Sequence, residues 1–145
     1  MAAPMQNAEN HARYVPGFHF ITGSLTIAVL VWSVKRAIIL QTGDAVLLAL
    51  MAVALLGQFW YTRAFPLAVQ DRLIRLEERL RLARLLPAEL QGRLDEFTAD
   101  QLIGMRFASD AELPALAKKV LDENLATRKG IKEQIKTWRP DYMRA

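Results

Sequence analysis

The sequence predicts an all-α protein: a transmembrane helical hairpin followed by a small cytoplasmic helical domain. Three observations carry that expectation. Residues 18–34 and 45–62 are two apolar runs without an acid, lysine or arginine, and each is close to the roughly 17–25 residues that cross a bilayer core. Every apolar repeat downstream fits a period of 3.6 better than a period of 2. Helix-capping patterns punctuate that downstream half.

Residues 1–17 form a polar lead-in, closed by Pro16-Gly17. The hairpin occupies 18–65, with helices over about 18–40 and 45–65. In the first span, Lys35 and Arg36 snorkel toward headgroups while Ala37, Ile38, Ile39 and Leu40 prolong the helix. A cleaved signal peptide would need a basic leader and a small-residue cleavage site. Only Arg13 precedes the run, and Lys35-Arg36 stands where cleavage would fall. Gln41-Thr42-Gly43-Asp44 reads as the turn, with Gly43 at positive φ and Asp44 as the cap. Tyr14, Trp32, Trp60 and Tyr61 stand at the span ends, where amphipathic rings favour the headgroup level.

Small residues let membrane helices approach closely. Thr22, Thr26 and Ser33 on the first span, and Ala45, Ala49, Val53 and Gly57 on the second, are the expected packing seam. Arg13, Arg63, Arg72, Arg75, Arg79 and Arg81 flank the outer ends, against Lys35 and Arg36 at the turn. That asymmetry places both termini in the cytoplasm.

Residues 66–145 form the cytoplasmic amphipathic domain. Pro66 is expected to break the chain, with a new helix from about 67 to 86. On it Val69, Leu73, Leu76, Leu80 and Ala83 recur at heptad-like spacing, to pack on later helices, on a second subunit or on lipid. Asp71 with Arg75 and Glu77 with Arg81 are i, i+4 pairs. A short helix follows Pro87 as far as about Phe97. Thr98 with Gln101 and Ser109 with Glu112 are capping boxes. A last helix, capped by Thr127, presents Ile131, Ile135 and Trp138 on one face and ends at Arg139-Pro140.

The chain carries a net charge of +4, distributed in blocks: +1 over residues 1–62, +3 over 63–84, −4 over 85–126 and +4 over 127–145. A basic block just after a span reads as topology and lipid attraction before it reads as nucleic acid. The candidate lipid- or partner-binding residues are Arg63, Arg72, Arg75, Arg79, Arg128, Lys129, Lys132 and Lys136. With no cysteine there is no thiolate site or disulfide. His11 and His19, even with Glu9, are separated by the Pro-Gly break and do not form a helical metal pair. Ser24 and Ser33 lie in the spans and Ser109 caps a helix, which leaves no credible Ser-His-acid triad. Asp95-Glu96 and Asp122-Glu123 are adjacent residues, read as solvated faces. No phosphate-binding glycine loop is present. No cofactor, metal or small-molecule substrate is indicated, no nucleic acid is expected, and no charged residue lies mid-span to mark an ion path.

Four segments carry a resemblance. They are residues 10–16 (NHARYVP), 70–80 (QDRLIRLEERL), 106–114 (RFASDAELP) and 131–141 (IKEQIKTWRPD), the first two separated by the hydrophobic hairpin. Together they resemble a family of small bacterial inner-membrane proteins with two spans and a helical cytoplasmic tail, to which no function is assigned. The resemblance implies a bacterial inner-membrane location and no activity. The expected role is a non-enzymatic, membrane-anchored helical module that binds itself or another protein. The alternatives are an anionic-lipid sensor or organiser, and an accessory subunit of a larger membrane complex.

Overall fold

A computed structural model of the chain describes residues 6–7 and 14–141. The described residues are all-α, and the only β pairing among them is an isolated antiparallel bridge between Ala108 and Trp138. A π-helical turn, Gly17–Thr22, leads into α1, Gly23–Leu40, and α2 follows at Gly43–Leu85. Four short helices follow among the described residues: α3 (Ala88–Gln91), α4 (Ala99–Met105), α5 (Leu113–Asp122) and α6 (Arg128–Glu133), with a 3₁₀ turn at Leu94–Glu96. The chain divides into two compact units, Arg13–Leu67 and Ala68–Ala145, the second including the described Gln6 and Asn7.

In the first unit, the helices starting at Gly17 and Gly43 are long and apolar enough to cross a membrane. Their apolar side chains are largely uncovered: Leu25, Ile27, Val31 and Ile38 on one, Leu47, Leu50, Met51 and Leu55 on the other. Water would penalise so much contiguous apolar surface, and lipid does not. The seam is narrower than expected. Gly23, Ser33, Ala45 and Ala52 are buried, whereas Thr26, Ala49 and Gly57 are half-buried, and Thr22 and Val53 are exposed. Thr22 and Thr26 instead turn their hydroxyls onto the helix backbone, at Gly17 O and Thr22 O. At Gly23 the two helices pack closely, and an added Cβ would lie 3.4 Å from the Phe59 ring. Phe18 stacks on the same ring at 4.4 Å between centroids.

The turn differs from its expected form. Gln41, at φ 50° and ψ 31°, takes the left-handed conformation, and its N–H donates to Ala37 O at 3.0 Å. Gly43 is already helical, and the Thr42 hydroxyl, 3.4 Å from Ala45 N, does the capping. Pro66 lies inside α2 rather than ending it. Proline removes one i→i−4 bond and costs a few kcal/mol in a helix interior, but the turns on either side stay helical.

The second unit has a continuous apolar core. Leu82, Leu86, Leu90, Phe97, Leu102, Met105, Phe107, Leu113, Leu116, Val120 and Ile131 are buried in it. The Thr98 capping box is fully formed, and Thr127 accepts Gly130 N–H at 3.1 Å. Gly104 lets α4 and α6 meet, since a Cβ there would stand 3.1 Å from Ile131. The Ser109 box forms only by half. Ser109 N–H donates to Thr137 O at 3.0 Å, so the Glu112 carboxylate is left to accept Lys136 and Thr137 N–H at 2.9 and 2.8 Å. Those same bonds end the last helix early. Ile131, Ile135 and Trp138 do reach the core, but from α6, a turn and the bridge rather than one helical face.

Two substitutions separate these contributions. Leu82→Ala empties a fully covered core position and should cost about 2–5 kcal/mol in chemical unfolding of the second unit. Thr98→Ala should cost only about 0.5–2 kcal/mol, the usual range for a helix cap.

Candidate interaction surface

The part of α2 that belongs to the second unit has two unlike faces. Ile74, Glu78, Arg81 and Leu82 are buried. Val69, Leu73, Leu76 and Leu80 stay 53–67% exposed. The heptad-like stripe is therefore not packed on the later helices, as one reading of the spacing required. The face that is packed contains an ion pair.

Arg81 organises that packed face. Its Nε donates to Asp110 Oδ1 at 2.8 Å, one terminal nitrogen to Glu78 Oε2 at 3.1 Å, and the other to Ala108 O at 2.6 Å. A weaker bond reaches Arg106 O at 3.4 Å. The expected Glu77–Arg81 pair is not made, because Arg81 points inward to Glu78 and to the loop after α4. Burial pushes the Glu78 carboxyl above the usual carboxylate range, and the Arg81 guanidinium pulls it the other way. The hydrogen bond from Arg81 holds the exposed Asp110 carboxyl below its usual range. A cleft of about 670 Å³ opens beside this pair, lined by Ile74, Glu78, Arg81, Arg84, Arg106 and Arg139 among others.

The proposed basic residues are not gathered into one patch. Arg79 pairs with Asp95. Arg128 bridges Asp71 at 2.9 Å and Asp100 at 2.6 Å, which also takes Asp71 away from Arg75. Lys132 lies over the Phe107 ring at 5.1 Å, and Lys129 stands 3.9 Å from Glu133. Lys136 contributes its backbone N–H to Glu112. Arg63 is half-buried in the first unit, whereas Arg72 and Arg75 are exposed on α2. The adjacent acids expected to be only solvated also hold ion pairs: Arg93 with Glu96 at 2.8 Å and Asp122 at 3.5 Å, and Lys119 with Glu123 at 4.0 Å. Such exposed pairs contribute little to stability but neutralise charge locally. His11, Glu9 and Arg13 lie outside the described residues. Among the described residues, no group of three His, Cys, Asp or Glu side chains is arranged to hold a metal.

Arg81→Ala leaves Glu78 buried without its counter-charge and should cost about 3–5 kcal/mol in denaturant unfolding. Arg81→Lys should recover little, since an ammonium cannot reach the acids and the carbonyls together. Glu78 also carries a pH signature. Its raised folded-state pKa means the native state binds the proton more tightly than the unfolded chain, so ionising Glu78 opposes folding. Stability should rise as pH falls through that raised value toward the ordinary carboxylate range, and Glu78→Gln should flatten the rise. Asp110 has the opposite sign, and its contribution is lost only as pH falls through its depressed value. Unfolding midpoints across an acidic pH series would read both, and identical profiles for wild type and Glu78→Gln would contradict the assignment.

No curated protein matches the chain, and no solved structure matches it. A family model matches from the first residue to the last, residues 1–145. The chain therefore belongs to the family of unknown function DUF6526.

Proposed function

We propose that the chain is a membrane-anchored helical interaction module of the bacterial inner membrane, without catalytic activity. Its hairpin holds the second unit at the cytoplasmic face, with both termini inside. The observation that carries this reading is the uncovered apolar face of α2, whose side chains are not part of the buried core of the second unit. Four exposed aliphatic side chains in register form a contiguous apolar face, and such a face is a mark of a contact made with something else. The partner is another copy, or a subunit of a larger membrane complex in which this chain is an accessory component.

Binding to anionic lipid through Arg63, Arg72 and Arg75 is the second reading. These three make no ion pair among the described residues, and each basic side chain near an anionic surface contributes on the order of 1 kcal/mol. The engagement of Arg79 and Arg128 by carboxylates weakens it relative to the first.

The full-length chain should resist carbonate extraction from native membranes, and mild-detergent extraction should yield an assembly larger than the monomer. A carbonate-resistant protein that is strictly monomeric and free of copurifying protein would contradict the module. In proteoliposomes, protection of α2 from trypsin that depends on anionic lipid and vanishes in high salt would favour the lipid reading instead.

A further inference from the structure

We infer that the exposed stripe of α2 pairs in parallel with the same stripe of a second copy, an inference that rests on the membrane-anchored reading. Val69, Leu73, Leu76, Leu80 and Ala83 follow one another at spacings of four and three, the seam of a left-handed helix pair. Leu73 and Leu80 take the a positions, and Val69, Leu76 and Ala83 the d positions. The core-facing residues Ile74, Glu78, Arg81 and Leu82 fall at b, f, b and c, off the a and d positions, and the cleft beside Arg81 is bordered by Leu73, Leu80 and Glu77 on its seam side. One helix can thus serve its own core and a neighbour at the same time.

The charges beside the stripe select the partner and its direction. Arg72 and Arg79 occupy g positions, and Gln70, Glu77 and Arg84 occupy e positions. In a parallel pair, g faces the e position five residues on, so Arg72 of one copy meets Glu77 of the other, twice by symmetry. Neither residue makes an ion pair within its own chain among the described residues. The remaining meeting, Arg79 against Arg84, is relieved because Arg79 is already held by Asp95. An antiparallel pair would set Arg72 against Arg79 and Glu77 against Glu77, so it is disfavoured. Two copies inserted with the same topology present α2 in the same direction, and confinement to one membrane raises their effective concentration. That compensates for a stripe only about two heptads long.

Because the chain has no cysteine, single-cysteine variants test the pairing in native membranes. Leu73→Cys, Leu76→Cys and Leu80→Cys, all at exposed positions, should each give a disulfide-linked dimer on mild oxidation. Arg75→Cys, exposed at an outward c position, should give severalfold less. In the Leu76→Cys background, Arg72→Glu or Glu77→Arg alone should lower the crosslink severalfold, and the two together should restore it. A carbonate-washed pellet from each variant separates the two levels of the argument. Protein retained in the pellet without the 73/76/80 pattern, without rescue by the charge swap, or crosslinked only to a protein of another mass overturns the parallel pair and leaves the anchoring intact. Protein lost from the pellet overturns the anchoring, and the parallel pair with it.

Discussion

The Arg81 guanidinium is the contact on which the second unit depends. It sits within α2, yet its hydrogen bonds reach the loop after α4, through Ala108 O and the Asp110 carboxylate. That loop in turn holds the end of the described chain. Ala108 bridges Trp138, Ser109 N–H donates to Thr137 O, and Arg139 N–H donates to Phe107 O at 2.7 Å. One side chain therefore ties α2, the middle of the domain and its last segment together. It also decides which face of α2 turns inward. With Glu78 and Arg81 committed to the core, Leu73, Leu76 and Leu80 are left outside.

A buried ion pair is an expensive way to close a core, because desolvation offsets much of the Coulomb gain. Here the cost falls mainly on Glu78, whose carboxyl is pushed up by burial. The directional bonds of Arg81 to Glu78, Asp110 and Ala108 O favour the rotation of the helix in which Glu78 and Arg81 face inward.

The broad architecture was legible in the residues. Two uncharged runs of membrane length stand out against a charged remainder, and Thr98 and Thr127 announce helix starts by local chemistry alone. What was not legible depended on distant partners. The leucine stripe is the stronger periodic signal on α2, but the packed face is the one that Glu78 and Arg81 make look polar. Local pairing rules offered Glu77 to Arg81 and Arg75 to Asp71, whereas the folded chain supplies Asp110 and Arg128 from elsewhere. Likewise, Ile131, Ile135 and Trp138 are in helical phase, yet Glu112 captures the amides at 136 and 137 and stops the helix. Gly104 and Gly23 carried no signal of their own, because their roles lie in the side chains pressed against them, Ile131 and Phe59.

The site follows from the same logic. A basic patch assembled from Arg79 and Arg128 dissolves once their carboxylate partners are in place, and what remains exposed on α2 is the aliphatic stripe, flanked by Arg72, Arg75 and Glu77. The central claim is that this face meets its own copy while the hairpin holds both in one bilayer. Dipolar spectroscopy on full-length Leu76→Cys, spin-labelled and reconstituted in lipid, measures it most directly. Helix axes about 8–10 Å apart should give a narrow intermolecular distance distribution on the order of 10–25 Å. Membrane-embedded protein showing no intermolecular coupling at that position would contradict the account.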